Sequence, residues 1–299
     1  NMNTKKIIDN IADWLKNYSM KSKTNGFVVG VSGGIDSAVT STLCAETGLP
    51  VLCLDLPIIQ NKNEHNRATK HIKWLEKKYP NVSFKSIDLS KTFSSFKDSV
   101  EISSSNNNLL SLANSRSRLR MSTLYYYAGI QSSLVVGTGN KVEDFGIGFY
   151  TKYGDGGVDI SPIADLYKTE VFKIAEELEI IDDIIVAKPT DGLWDDDRTD
   201  EDQIGATYKE LEWAMREKDF GKKSFEFKAR KKEVFEILNK FNKQNLHKMN
   251  PIPIYLIGLP VTCFMLRAAP PRPSPSILVR IMLETSTAVS NSFAILTAI

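Results

Sequence analysis

The sequence predicts an α/β fold, a doubly wound parallel sheet flanked by helices in a single domain. Three observations predict it. Short apolar runs at Phe27–Val31 and Val51–Leu56, and the alternating stretch Val82–Ile87, are interspersed with segments of helical period. The first run leads through Ser32-Gly33-Gly34 directly into a helical pattern from Ser37. The 299 residues, 42% hydrophobic and 25% charged, have the size and balance of an ordinary globular chain.

Each element has a local reason. Ile7, Ile8, Ile11, Trp14 and Leu15 recur at helical spacing, predicting an amphipathic helix over residues 3 to 18. The strand at 27–31 and its helix at 37–46 follow, then the second strand, which Pro57 ends. Residues 63–78 read as a helix with Ile72 and Leu75 inward, and Val82–Ile87 as the third strand. Ser103 to Asn108 is a polar run with little to bury and reads as a surface loop. Leu109–Gly129 is a long helix carrying Arg116, Arg118 and Arg120. Ser133–Val136 is a fourth strand, ending in Gly137-Thr138-Gly139-Asn140. Residues 146–161 hold five glycines and three aromatics and read as a loop. Tyr167–Leu178, Asp200–Met215 and Lys228–Phe241 are amphipathic helical patterns, and Asp195-Asp196-Asp197 reads as a solvated loop. Strands alternating with helices give parallel, Rossmann-like winding.

The turn after the first strand carries the chemistry. Two glycines let backbone N–H groups approach an oxyanion, and the helix N-terminus favours negative charge there. Ser32 and Ser37 add hydroxyl donors. Asp36 has the wrong charge for bare phosphate but suits a Mg²⁺ that the phosphate also touches. No Gly-Lys-Ser/Thr ending and no G-x-G-x-x-G spacing follows, which excludes the Walker and dinucleotide loops. A plain structural turn is the alternative.

Composition bounds the rest. A formal charge of +2 excludes a strongly basic nucleic-acid binder. Cys44, Cys53 and Cys263 are too few and scattered for a disulfide framework or zinc site, so a reduced, cytoplasmic setting and core packing are expected for them. The polar, Lys-rich start has no apolar signal core, and the apolar run Ile254–Leu266 is interrupted by Pro260, so no membrane span is expected. Beyond residue 254 the composition changes: residues 255–299 contain neither Lys nor Asp, and Pro270–Pro275 suits neither helix nor central strand. A domain at 1–253 is expected, with 254–299 an anomalous tail outside the fold, or a genuine tail that packs on a partner.

The Ser32-Gly-Gly-Ile-Asp-Ser37 stretch resembles the pyrophosphate loop of the ATP pyrophosphatase superfamily. Further segments resemble one branch of it, the ammonia-dependent NAD synthetases: Asn114–Met121, Gly137–Asp144, Phe149–Gly157, Asp159, Leu166–Thr169, Lys188–Asp191, Asp200–Gly205 and His247–Met249. The resemblance covers about residues 5 to 253 in the family's order. It implies ATP-dependent amidation of deamido-NAD to NAD through an acyl-adenylate, with ammonia as nitrogen donor and AMP and pyrophosphate as products. It also implies residue roles. Gly30, Val31, Ser32, Gly33, Gly34, Ile35, Asp36 and Ser37 bind the ATP phosphates, joined by Thr138, Lys168 and Thr190. Asp36 and Glu143 hold Mg²⁺; taken alone, Glu143 could be an exposed loop carboxylate. Arg118, Lys152, Asp159, His247 and Lys248 contact deamido-NAD, with Arg116 and Arg120 open as substitutes for Arg118. No side chain serves as a covalent nucleophile. A homodimer built on the arginine helix is implied, with neither nucleic acid nor membrane as partner.

Two departures stand out. The stretch before Glu143 reads Gly139-Asn140 where many members have Asp-His, and Glu143–Lys152 is one residue longer than the commonest form. Glutamine-dependent relatives carry an amidase domain ahead of the synthetase; the 26 residues before the first strand lead us to expect free ammonia or a separate glutaminase. Rival readings are another adenylating enzyme of the superfamily, a non-catalytic nucleotide sensor, and a catalytically impaired homologue. A tRNA-thiolating enzyme would bring paired cysteines, and a sensor would lack the metal carboxylates.

Overall fold

The computed structural model describes residues 2–59, 62–100, 108–187, 189 and 199–251, with the side chains of 62–65 left aside. Thr190, the Asp195–Asp197 cluster, Cys263, residues 103–107 of the polar run and the stretch from 252 onward lie outside the described residues.

In chain order the elements are α1 (Thr4–Ser22), β1 (Phe27–Gly30), α2 (Ile35–Glu46), β2 (Val51–Asp55), α3 (Lys62–Lys78), β3 (Val82–Ser86), α4 (Ser90–Ser99), α5 (Asn108–Gln131) and β4 (Leu134–Val136). A π-helical turn (Val142–Ile147) follows, then α6 (Lys168–Glu177), α7 (Asp182–Ile185), α8 (Asp200–Ile204), α9 (Tyr208–Asp219) and α10 (Ala229–Met249). The described strands form one parallel sheet ordered β3-β2-β1-β4. The expected α/β winding is therefore present, with β1 central between β2 and β4.

Alternation along the strands explains the layers. Phe27 and Val29 enter one core with Leu43, Ile72, Val171 and Ile174 from α2, α3 and α6. Val28, Leu52, Leu54 and Val135 enter a second core with Phe93 of α4 and Ala128 of α5. A strand buried on both faces must be apolar at successive positions, which is what Phe27–Val29 shows. A third cluster joins the π-helical turn to α8, α9 and α10 through Val142, Ile147, Tyr208, Leu211, Phe235 and Leu238. Cys44 and Cys53 are buried free thiols.

Three expectations are corrected. Asp200–Met215 is two helices, because Gly205 adopts φ +81° and closes α8 before Thr207 caps α9. The Gly-rich stretch expected to be loop from 146 begins inside the π-helical turn, which Gly148 ends at φ +66°. Helix α4 lies where no helix is expected; its Phe93 packs under the second core, but its residues are mostly polar, with Phe93 and Phe96 the large apolar ones among them.

Candidate functional site

The C-terminal ends of β1, β2 and β4 open into a cavity of about 530 Å³, at the edge where open parallel sheets bind ligands. Residues 30 to 37 line it as one continuous stretch. The turn is built by its own side chains. Ser32 N–H donates to Ser37 Oγ (3.2 Å), Gly34 N–H donates to Ser32 Oγ (3.3 Å), and Ser37 Oγ donates to the Gly34 carbonyl (2.9 Å). Gly33 takes φ +82°, a left-handed conformation that L side chains rarely adopt. Gly34 caps α2 without a side-chain hydrogen bond, so the first N–H groups of this buried helix stay open to the cavity.

Behind the turn sits a charged trio. Lys168, the first residue of α6 and 2% exposed, donates from Nζ to Asp36 Oδ2 and to Glu143 Oε1 (2.9 Å). Burial alone would lower the Lys168 pKa, but the two carboxylates outweigh it and keep the ammonium charged. Burial pushes Asp36 up against the pull of Lys168, whereas Lys168 and Tyr208 hold Glu143 below its usual range despite burial. Tyr208 Oη lies 2.7 Å from Glu143 Oε1 and 3.1 Å from Asp200 Oδ2, and its ring faces the Lys168 ammonium at 4.8 Å. Asn140, fully buried, donates to Asp36 Oδ1 (3.1 Å) and accepts from Val142 N–H (3.1 Å) and Glu143 N–H (3.2 Å).

Two carboxylates from two strand ends, completed by phosphate oxygens, form a hard-oxygen set of the kind Mg²⁺ takes. A buried ammonium already rests between them, so the place between Asp36 and Glu143 selects positive charge. The residues present fit the ion.

The cavity gathers Thr138, Glu143, Lys168 and Lys248 with the turn. Lys248 donates to the Gly148 and Tyr150 carbonyls and is lowered by burial. Of the three arginines on α5, Arg120 reaches this cavity, its Nε donating to the Leu56 carbonyl (2.9 Å). Arg118 is exposed outside the lining and donates to the Lys152 carbonyl (3.4 Å). Lys152 Nζ donates to the His247 carbonyl (2.8 Å), and Lys152 lines a neighbouring cavity of about 160 Å³ with Asp144 and Asp155. His247 is exposed at the end of α10. Asp159 accepts from Tyr125 Oη (2.9 Å) and Val135 N–H (2.8 Å), fastening β4 to α5. Thus Arg118, Lys152, Asp159 and His247 stand apart from the turn, and Thr190 lies outside the described residues.

Neither Tyr208 nor Arg67 is marked by the sequence as a cavity or network residue, Asn140 reads there as a mere variation, and of the three arginines left open it is Arg120 that lines the cavity. Tyr208 follows a capping box, Thr207 with Glu210, and that cap fixes where α9 starts. The signal was therefore local, but nothing local says that the hydroxyl meets a carboxylate 65 residues earlier.

A sequence model of the NAD synthase family matches residues 7–252. The NH(3)-dependent NAD(+) synthetase of Methanosarcina acetivorans is 39% identical over 219 residues, 72% of this chain and 82% of that protein. The NMN synthetase of Francisella tularensis superposes with TM-score 0.75 at 31% identity, covering 85% of this chain and 99% of that one. An NH3-dependent NAD synthetase from Campylobacter jejuni in complex with nitrate superposes with TM-score 0.69 at 28% identity, covering 85% and 100%.

Proposed function

The chain belongs to the NAD synthase family, and from that premise we propose that it is an ammonia-dependent NAD synthetase. It uses ATP to activate the nicotinate carboxylate of deamido-NAD and ammonia to form the amide. The observation that carries the reading is the Lys168 ammonium bound to both Asp36 and Glu143 beside an open helix N-terminus. Lys168 offsets one of the two carboxylate charges beneath the phosphate cradle, and the charge left over suits a cation shared with the phosphates.

The chemistry has two steps. A nicotinate oxygen bonds the α-phosphorus, and the bond to the α,β-bridging oxygen breaks with its electron pair on pyrophosphate. Ammonia nitrogen then bonds the acyl carbon, AMP leaves with the ester electron pair, and nitrogen loses a proton. Such transfers need positioning and charge neutralisation more than covalent help. The open N–H groups of the turn, with Ser32, Ser37 and Thr138, orient the phosphates. Asn140 fixes Asp36, and Tyr208 fixes Glu143. Mg²⁺ held by Asp36 and Glu143 would supply further neutralisation of phosphate charge. Lys248 brings a positive charge to the acceptor side, and the exposed pair Arg118 and Lys152, with His247, extends it.

The same chemistry on a nicotinate mononucleotide is the second reading, favoured by the likeness to the Francisella NMN synthetase. One assay separates them: ATP, Mg²⁺ and ammonium with either acceptor, following amide product, AMP and pyrophosphate. Equal yields of NAD, AMP and pyrophosphate from deamido-NAD are expected. A protein that processes only the mononucleotide shifts the assignment to the second reading, and one that adenylates neither ends both.

A homodimer through α5 is supported by Leu109, Leu110, Tyr125, Tyr126 and Ile130, all large and exposed on that helix. No helix among the described residues is long and apolar enough to cross a membrane. A cytoplasmic setting accords with the two buried thiols. The domain boundary near residue 253 is supported by the family match, which ends at 252, and by the compositional change that follows.

A further inference from the structure

We propose that Arg67 grips the β- and γ-phosphates of ATP and holds the departing pyrophosphate. This rests on the ATP-using reading above and adds a residue that no motif marks.

Arg67 lies on α3, the helix after β2, and its side chain lines the large cavity beside the Ser32–Ser37 turn. Its Nε donates to the Gly33 carbonyl (3.4 Å), the residue at positive φ in the middle of that turn. This contact places the guanidinium beside the cradle. Among the described residues Gly33 is the only partner recorded for the group, so the terminal N–H donors are available to a ligand.

Charge balance shows why such a group is needed. A Walker-type loop carries its own lysine, whereas residues 32 to 37 contain no cation and one carboxylate, Asp36. The Lys168 charge is spent on Asp36 and Glu143. Lys248 is anchored to the carbonyls of Gly148 and Tyr150, and Arg120 Nε to that of Leu56. A polyphosphate leaning on the open end of α2 therefore meets Arg67 as a cation in contact with the turn that, among the described residues, no carboxylate pairs with. A guanidinium presents paired N–H groups that match two phosphate oxygens at once. When the α-phosphorus bonds the carboxylate oxygen and releases the α,β-bridging oxygen, the electron pair settles on pyrophosphate. Arg67 stabilises the charge that develops there.

The test compares the wild type with Arg67→Ala and Arg67→Lys. The first readout is equilibrium binding of magnesium pyrophosphate by calorimetry, which does not depend on turnover. Arg67→Ala is expected to weaken pyrophosphate binding by roughly tenfold or more, with Lys in between because it keeps charge but loses the fork. In the NAD-forming assay, the KM for ATP and the inhibition constant of pyrophosphate should rise together. The KM of the nicotinate acceptor and inhibition by AMP should not move. Equal pyrophosphate affinity in wild type and Arg67→Lys, together with either an unchanged Ala variant or one that has unfolded, overturns the inference. A wild type that binds pyrophosphate but makes no amide overturns the amidation reading and leaves the Arg67 comparison intact.

Discussion

At the scale of single residues, the site depends on partners that hold other partners. Asp36→Asn removes one of the two charges around Lys168, and we expect it to abolish most turnover while leaving the melting temperature near that of the wild type. Near-normal activity would exclude Asp36 from charge neutralisation. Tyr208→Phe keeps the ring over Lys168 but removes the hydroxyl at Glu143 and Asp200. A fall in kcat on the order of tenfold is expected, the usual cost of losing a partner that orients a metal-binding carboxylate. An unchanged kcat with a lowered melting temperature would reduce Tyr208 to packing. Arg118→Ala should weaken deamido-NAD more than ATP, read as the two KM values. At this scale the sequence was legible where spacing was local. Ser32 to Ser37 could be read in place because turn and helix are contiguous. Arg67 and Tyr208 could not, since their meaning arises only when α3 and α9 fold back onto the ends of β1 and β4.

Elements show how local irregularity is contained. The stretch Glu143–Lys152 reads one residue longer than the commonest form, and the chain there forms a π-helical turn, Val142–Ile147. One extra residue in a helix is what a π-turn accommodates. Asn140 accepts from the N–H groups of Val142 and Glu143 at its start and so pins the carboxylate end of the turn. The pairing of α2 with α3 contains a different peculiarity. His71 is fully buried, its Nε2 is 3.1 Å from Ser41 Oγ, and it stacks on Trp74 at 5.5 Å. Burial lowers its pKa from 6.5 to about 3. The folded state thus needs the neutral ring, while the unfolded chain takes up a proton below 6.5. The stability is present above pH 6.5 and is lost as pH falls from there toward 3. Urea unfolding should show about 2 kcal/mol less stability at pH 5 than at pH 7 from this residue. His71→Gln should flatten that difference; an equal slope in both proteins would assign it elsewhere. The element pattern was largely readable because β1 and β2 are buried on both faces. Gly205 was the exception: one left-handed glycine splits an amphipathic run whose period continues across it.

For the whole molecule, the described chain is a parallel sheet with its chemistry at one end and a three-helix flank, α8 to α10, holding Tyr208 and Lys248 against it. We expect a chain ended at Pro253 to form NAD as well as the full chain, measured side by side; loss of activity on truncation would make residues 254–299 part of the working enzyme. The sequence foretold the sheet but not how its last strand is finished. Beyond β4, Ile160 bridges Val136 in parallel, and the Asp159 carboxylate takes the Val135 N–H. Those contacts occupy hydrogen-bonding groups that an outermost strand would otherwise offer to any passing chain. Asp159, which stands apart from the turn, thus covers part of an edge that would otherwise favour self-association. Its replacement by Ala should first be felt as poor solubility and concentration-dependent clumping, visible by light scattering, before any change in the turnover of the protein that stays dispersed.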